Sequence, residues 1–168
     1  KHKANPQLAP ELPSWTRDVR QLNYRFHGVN SYGLFRHMTT TRPEVIIEGS
    51  SDGVNWREYG FKYKPGDVMR RPPQVAPHQP RLDWQMWFAA LGSFEGNRWV
   101  GNLLFRLAEG SPPVLRLLRH NPFPRGPPRY VRAVLYDYHF TDKETRRNNG
   151  TWWRVTPVRA YSPVFSLR

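Results

Sequence analysis

Between Arg70 and Pro80 the chain carries Pro72, Pro73, Pro77 and Pro80. Proline fixes φ and has no N–H, so this stretch fits neither a regular helix nor a central strand. It reads as an extended crossover. On its N-terminal side apolar residues alternate, and on its C-terminal side they recur at helical spacing. A second proline-rich connection, Asn121 to Pro128, returns the chain to alternation.

Four strand signals precede the crossover. Val19–His27 and Tyr32–Met38 are partly alternating and rich in aromatics. Glu44-Val45-Ile46-Ile47-Glu48 is β-branched, and the turn residues Gly49 to Gly53 follow it. Asp52 and Gly53 are expected to be structural, because Asp-Gly suits a turn with positive φ. Trp56–Lys64 then alternates Tyr59, Phe61 and Tyr63 against Gly60, Lys62 and Lys64, which predicts the second strand of a hairpin.

After the crossover, Pro80 suits a helix start. Trp84, Trp87, Phe88 and Leu91 fall on one helical face, which reads as core, and Gly92 is a stop. Asp83 in the first turn is expected to be structural, favouring the helix dipole and satisfying Arg81 and His78. A second helix fits Asn97–Glu109, with Val100, Leu103, Leu104, Leu107 and Ala108 on one face. A third fits Pro112–Arg119. Tyr130–Phe140 is then a long strand, apolar on both sides in its first half and therefore central. Lys143–Gly150 reads as a charged loop, and Trp152–Val158 as a last strand pairing with Tyr130–Phe140.

Strands, then helices, then strands predict an α+β fold: an antiparallel β-sheet or sandwich with a helical insertion of two to three helices between the strands. Residues 1–18 read as a linker or extended segment, consistent with a piece of a longer chain. Residues 19–168 read as a single soluble domain. No apolar run approaches the ~20 residues of a membrane-spanning helix. Aromatic residues make up 14% of the chain, enough to fill a core without cysteine, of which there is none. The isolated domain is expected to be a monomer.

The net charge of +13 comes mostly from Arg scattered in ones and twos. No nucleic-acid-binding motif is legible, so specific nucleic acid recognition is not expected. An acidic client protein or an anionic membrane surface fits better. Partner-binding candidates are Arg70, Arg71, His78 and Arg81 around the crossover, Arg146 and Arg147 in the charged segment, and Trp152. Trp152 and Trp153 point to opposite faces of a strand, which would leave one of them open to a partner.

Catalysis and cofactors find little footing. The six His make no HxH, HxxxH or HExxH pattern, no phosphate loop is present, and the Gly-x-Ser-x-Gly spacing of Gly49 to Gly53 falls in the turn of a hairpin and not at a strand-to-helix elbow. Asp137 and His139 share a strand face without a legible nucleophile. No metal or cofactor is implied.

Longer runs carry a resemblance. Arg42-Pro43-Glu44-Val45-Ile46-Ile47-Glu48-Gly49-Ser50, Trp56-Arg57-Glu58-Tyr59 and Phe61-Lys62-Tyr63-Lys64-Pro65-Gly66-Asp67 resemble the lipase maturation factor family. So do Ala76 to Leu91 with its Asp83-Trp84-Gln85-Met86-Trp87-Phe88 core, Asn121-Pro122-Phe123, Pro127 to Ala133, and Trp152-Trp153-Arg154. The resemblance implies the C-terminal soluble domain of a multi-pass membrane protein that helps secreted lipases mature. Its animal members sit in the endoplasmic reticulum membrane. A bacterial member would sit in the inner membrane, and the lack of cysteine points to such a source. It implies a chaperone-like, protein-binding role and no enzymatic activity. The hairpin Val45–Tyr59 alone resembles discoidin-type sandwiches, which bind glycans or lipid headgroups.

The chain is expected not to hydrolyse nitrophenyl esters. Turnover that a single Ser or His substitution abolished would overturn this reading.

Overall fold

The long strand β3 (Tyr130–Phe140) is the spine of the fold. The structure is a computed structural model and describes Trp15, residues 40–75 and residues 77–167. The linker 1–18 and the strands Val19–His27 and Tyr32–Met38 therefore lie outside the described residues, apart from Trp15. β1 (Pro43–Ser50) pairs antiparallel with β3 along its whole length, from Pro43↔Asp137 to Ser50↔Tyr130. β2 (Arg57–Glu58) adds to the far side of β1. β4 (Trp153–Ala160) flanks β3 on the other side, and β5 (Phe165–Ser166) follows it against Tyr130 and Val131. Between β4 and β5 the gap is filled by Ser162, whose Oγ accepts from the Ala133 amide at 2.9 Å. Among the described residues the result is one five-stranded antiparallel sheet of order β2-β1-β3-β4 with β5 on β3, the expected α+β class.

The helical insertion comes between β2 and β3: α1 (Arg81–Ala90), a 3-10 turn (Glu95–Asn97), α2 (Arg98–Ala108) and α3 (Pro112–Leu115). α2 buries Val100, Leu103, Leu104, Leu107 and Ala108, the face its spacing predicts. These pack with Met86, Ala89 and Ala90 of α1 against Val45, Ile47, Val131, Ala133 and Leu135 of the sheet. Each large buried side chain in this layer stabilises by roughly 2 kcal/mol. Tyr161 ties the end of β4 to α1, its hydroxyl donating to the Ala89 carbonyl at 2.8 Å. A smaller cluster of Ile46, Tyr138 and Trp153 covers the opposite face, so β3 is apolar on both sides as expected. Gly49 is required in β1, because a Cβ there would lie 2.5 Å from the Phe123 ring.

Five expectations are corrected. The second hairpin strand does not run to Lys64: after Glu58 the chain leaves β1, and Gly60 bridges His120 instead. Among the described residues, 61–64 then have no neighbouring strand. Arg70 donates to the Phe61 and Lys62 carbonyls, and Asp83 accepts from the Tyr63 amide at 2.7 Å and the Lys64 amide at 2.9 Å. Asp83 is thus structural, but it serves these amides and not Arg81 or His78. The inner face of α1 is Asp83, Met86, Ala89 and Ala90, whereas Trp84 and Phe88 are 37% and 39% exposed. Trp84 and Phe88 are therefore not on the core face, while Trp87 is half-buried. Small alanines let α1 approach the sheet, and Asp83 must reach residues 63–64, which turns the rings outward. Lys143–Gly150 is not a loop: Lys143–Asn149 forms α4, capped by Asp142 accepting from the Thr145 amide and ended by Gly150 at φ 71°. Finally, α3 stops at Leu115, short of Arg119.

Among the described residues β4 is an edge strand by the sheet order, and it carries Pro157 in its middle with a register shift opposite Leu135/Tyr136.

Asp83→Ala orphans two amides around a buried site and should cost about 3 kcal/mol. Asp83→Asn keeps one acceptor and should cost less. Urea denaturation of both variants checks this. Unfolding midpoints unchanged from the parent would remove Asp83 from its role.

Candidate functional site

The face of the sheet away from the helices carries Glu44, Ile46 and Glu48 of β1, Arg132, Tyr136, Tyr138 and Phe140 of β3, and Trp153 of β4. Part of it is covered by the chain that follows Lys64. The Tyr138 hydroxyl donates to the Gly66 carbonyl at 2.9 Å. The Val68 carbonyl accepts from the Trp152 amide at 2.8 Å. These bonds place Met69, Arg70 and Arg71 beside the start of β4.

Two tryptophans organise this end. Trp153 is buried; Phe140 stacks on it at 4.3 Å, and the Arg42 guanidinium lies 5.5 Å from its ring centre. Trp152 is half-buried and has two guanidiniums against its ring, Arg146 at 4.2 Å and Arg71 at 5.5 Å. Such cation–ring contacts hold an Arg in place while leaving its charge. α4 delivers Arg146 from its last turn, where a cation suits the helix dipole, and Arg146 also donates to the Thr141 carbonyl at 3.0 Å. Around them Val68, Met69 and Phe140 are exposed, the last two at 52% and 59%.

The other half of this face is a buried acid network. Glu48 takes Arg132 at 2.8 Å and the Tyr136 hydroxyl at 3.2 Å, and the Arg132 guanidinium lies 3.8 Å over Trp56. Burial, and then Glu48, raise the Glu58 carboxyl above the usual carboxylate range. Glu44, nearly inaccessible, pairs with Arg42 at 3.1 Å and with the buried Lys64 at 3.4 Å. Asp137 and His139 do meet, at 3.0 Å, and Asp137 also accepts from the Arg42 amide.

Of the sequence candidates, Arg71, Arg146 and Trp152 come together. Arg147 is exposed in the same turn of α4 as Arg146. Arg70 turns inward onto two carbonyls and is corrected to a structural role. Burial and Arg119 lower its pKa. His78 stands exposed on the crossover. Arg81 borders a shallow depression with Trp84, Gln85, Phe88, Asn97 and Trp99. Asp52 holds the hairpin loop: its carboxylate accepts from the Asn55 side chain and from the Asn55 and Val54 amides, and these bonds lower its pKa, Asn55 first. Gly53 takes φ 78° there, so both play the turn role expected. Sequence reasoning missed Arg42, Trp56, Arg132 and Phe140. Their partners lie across strands, and only the register identifies them.

The family model for the lipase maturation factor C-terminal domain matches residues 28–163. The chain is 51% identical over 144 residues to lipase maturation factor 2 of Homo sapiens, covering 82% of this chain and 20% of that protein. It is 48% identical over 173 residues to lipase maturation factor 2 of Gallus gallus, covering 99% of this chain and 24% of that protein. It is 43% identical over 161 residues to lipase maturation factor 1 of Homo sapiens, covering 90% of this chain and 28% of that protein. No solved structure matches the chain. No helix among the described residues is long and apolar enough to cross a membrane.

Burial pushes the phenols of Tyr59 and Tyr136 up to about 12, and that of Tyr138 further still. An unfolded Tyr ionises near pH 10, so these three favour the fold fully below pH ~10 and lose that contribution as pH rises toward 12. In an alkaline absorbance titration these three of the eight tyrosines should ionise only with unfolding. All eight titrating together near pH ~10, with near-ultraviolet dichroism intact, would contradict the burial.

Proposed function

The chain belongs to the lipase maturation factor family, and from that membership we propose that it is the client-binding, folding-helper part of a membrane protein that assists the maturation of secreted lipases. The observation that carries this reading is the surface around Trp152. There the exposed Val68, Met69, Phe140 and Arg71 stand beside the half-buried Arg146, as at protein-binding sites, where aromatic residues and Arg concentrate. The domain acts by holding its partner and not by chemistry on it. The Asp137–His139 pair has no legible nucleophile, and the Gly-x-Ser-x-Gly spacing of Gly49 to Gly53 is a loop between two strands, held by Ser50 and Asp52, with no helix after it. The membrane anchor, in the endoplasmic reticulum for animal relatives, is assigned to the remainder of the protein, of which this chain spans about a fifth to a quarter by comparison with its relatives. A discoidin-type glycan or headgroup module is not favoured. The hairpin Val45–Tyr59 that suggested it belongs to a sheet backed by helices.

In cells secreting a lipase, a full-length protein lacking residues 39–168 should no longer co-precipitate the lipase, and secreted lipase activity should fall several-fold. Unimpaired capture and unimpaired secretion by the deletion would sink the reading.

A further inference from the structure

We propose that the Arg71–Trp152–Arg146 surface binds an acidic polypeptide segment, pairing its carboxylates with the two guanidiniums and laying its apolar side chains on Val68, Met69 and Phe140; this rests on the client-binding reading above. Arg71 and Arg146 lie 5.5 and 4.2 Å from one ring centre, so their positions are set before any partner arrives. Ordering a long side chain in advance lowers the cost of binding. Neither Arg is in an ion pair among the described residues, whereas Arg42, Arg106 and Arg132 are. Arg146 spends Nη2 on the Thr141 carbonyl, and its buried Nε has no acceptor. Arg71 is exposed, and no hydrogen bond holds its guanidinium among the described residues.

The acids nearby do not neutralise this pair. On α4, Asp142 and Glu144 stand at the N-terminal end, with Asp142 committed to Thr145, while Arg146 and Arg147 occupy the last turn. Asp67 caps the Met69 amide at 2.9 Å. The exposed Arg71 fork is matched by a carboxylate, which it takes with two parallel bonds, and Arg146 adds its charge beside it. The exposed Val68, Met69 and Phe140 call for apolar side chains between the acids. An alternating acidic and apolar stretch meets both demands.

The test uses the 168-residue chain and a fluorescein-labelled peptide of alternating Glu and Leu, with an alternating Gln and Leu peptide as control. Fluorescence anisotropy should show binding of the Glu peptide that weakens steeply as salt is raised. The Gln peptide should bind about tenfold more weakly or worse. Arg71→Ala combined with Arg146→Ala should weaken the Glu peptide about tenfold, with Arg71→Lys intermediate. Arg71→Ala alone, at an exposed side chain, keeps the test valid if the double variant loses structure. It should cost several-fold.

Equal binding of the two peptides, or undiminished binding by the Arg71 variant, overturns the proposal. So does the case in which phosphatidylserine-doped vesicles bind through these arginines and the peptide does not. Capture of a lipase that persists in the double variant removes this site while leaving the client-binding function. Peptide binding without lipase capture does the reverse.

Discussion

Among the described residues no strand lies beside residues 61–64, and two charged side chains stand in for one. Asp83 takes the Tyr63 and Lys64 amides, and Arg70 covers the Phe61 and Lys62 carbonyls. Unmet, those four backbone groups would each carry a desolvation cost. The arrangement joins α1, which owns Asp83, to the crossover, which owns Arg70. Lys64 extends it into the sheet through Glu44. With Asp83 turned in, α1 has one rotation about its axis, and Trp84 and Phe88 face out. With Arg70 turned in, Arg71 is left facing the Trp152 ring. The presentation of the surface thus follows from a buried polar constraint.

A second theme is where the arginines go. Read as charge alone, the excess suggests a diffuse positive field. The structure places many of these cations against rings: Arg42 on Trp153, Arg71 and Arg146 on Trp152, Arg132 on Trp56, Arg129 on Tyr130 and Arg159 on Tyr161. A planar guanidinium packs on an aromatic face in a way a hydrated ammonium does not. The Arg-rich, Trp-rich composition is therefore partly architectural.

Much of this was legible in the sequence, for physical reasons. β3 occupies the residues its alternation marks, Tyr130–Phe140, because a strand buried on both faces has an apolar signature. α2 buries the face its spacing marks. Where reading failed, a long-range polar contact had overruled a local pattern. Alternation from Tyr59 to Tyr63 could not reveal that Asp83, 20 positions on, would take the amide of Tyr63. The stripe of Trp84, Trp87 and Phe88 looked like core because size was weighed over fit, while Ala89 and Ala90 were the residues small enough to let α1 close on the sheet. α4 was missed because its charged residues hid a plain pair of stops, Asp142 before it and Gly150 after it. At the candidate site, Arg71, Arg146 and Trp152 were each visible singly. Their convergence required the Val68 carbonyl to meet Trp152, which no spacing encodes.

The outer rim of β4 has a bearing on what such a domain can safely meet. A chain that has not finished folding exposes extended backbone, and an open strand edge is a template on which it would add and then aggregate. Here that edge is interrupted. Pro157 offers no amide, the shifted register beside Tyr136 bends the strand, and Arg154 and Arg159 charge its exposed length. At the opposite edge β2 is only two residues long. A sheet built this way can stand among incompletely folded proteins without seeding their deposition.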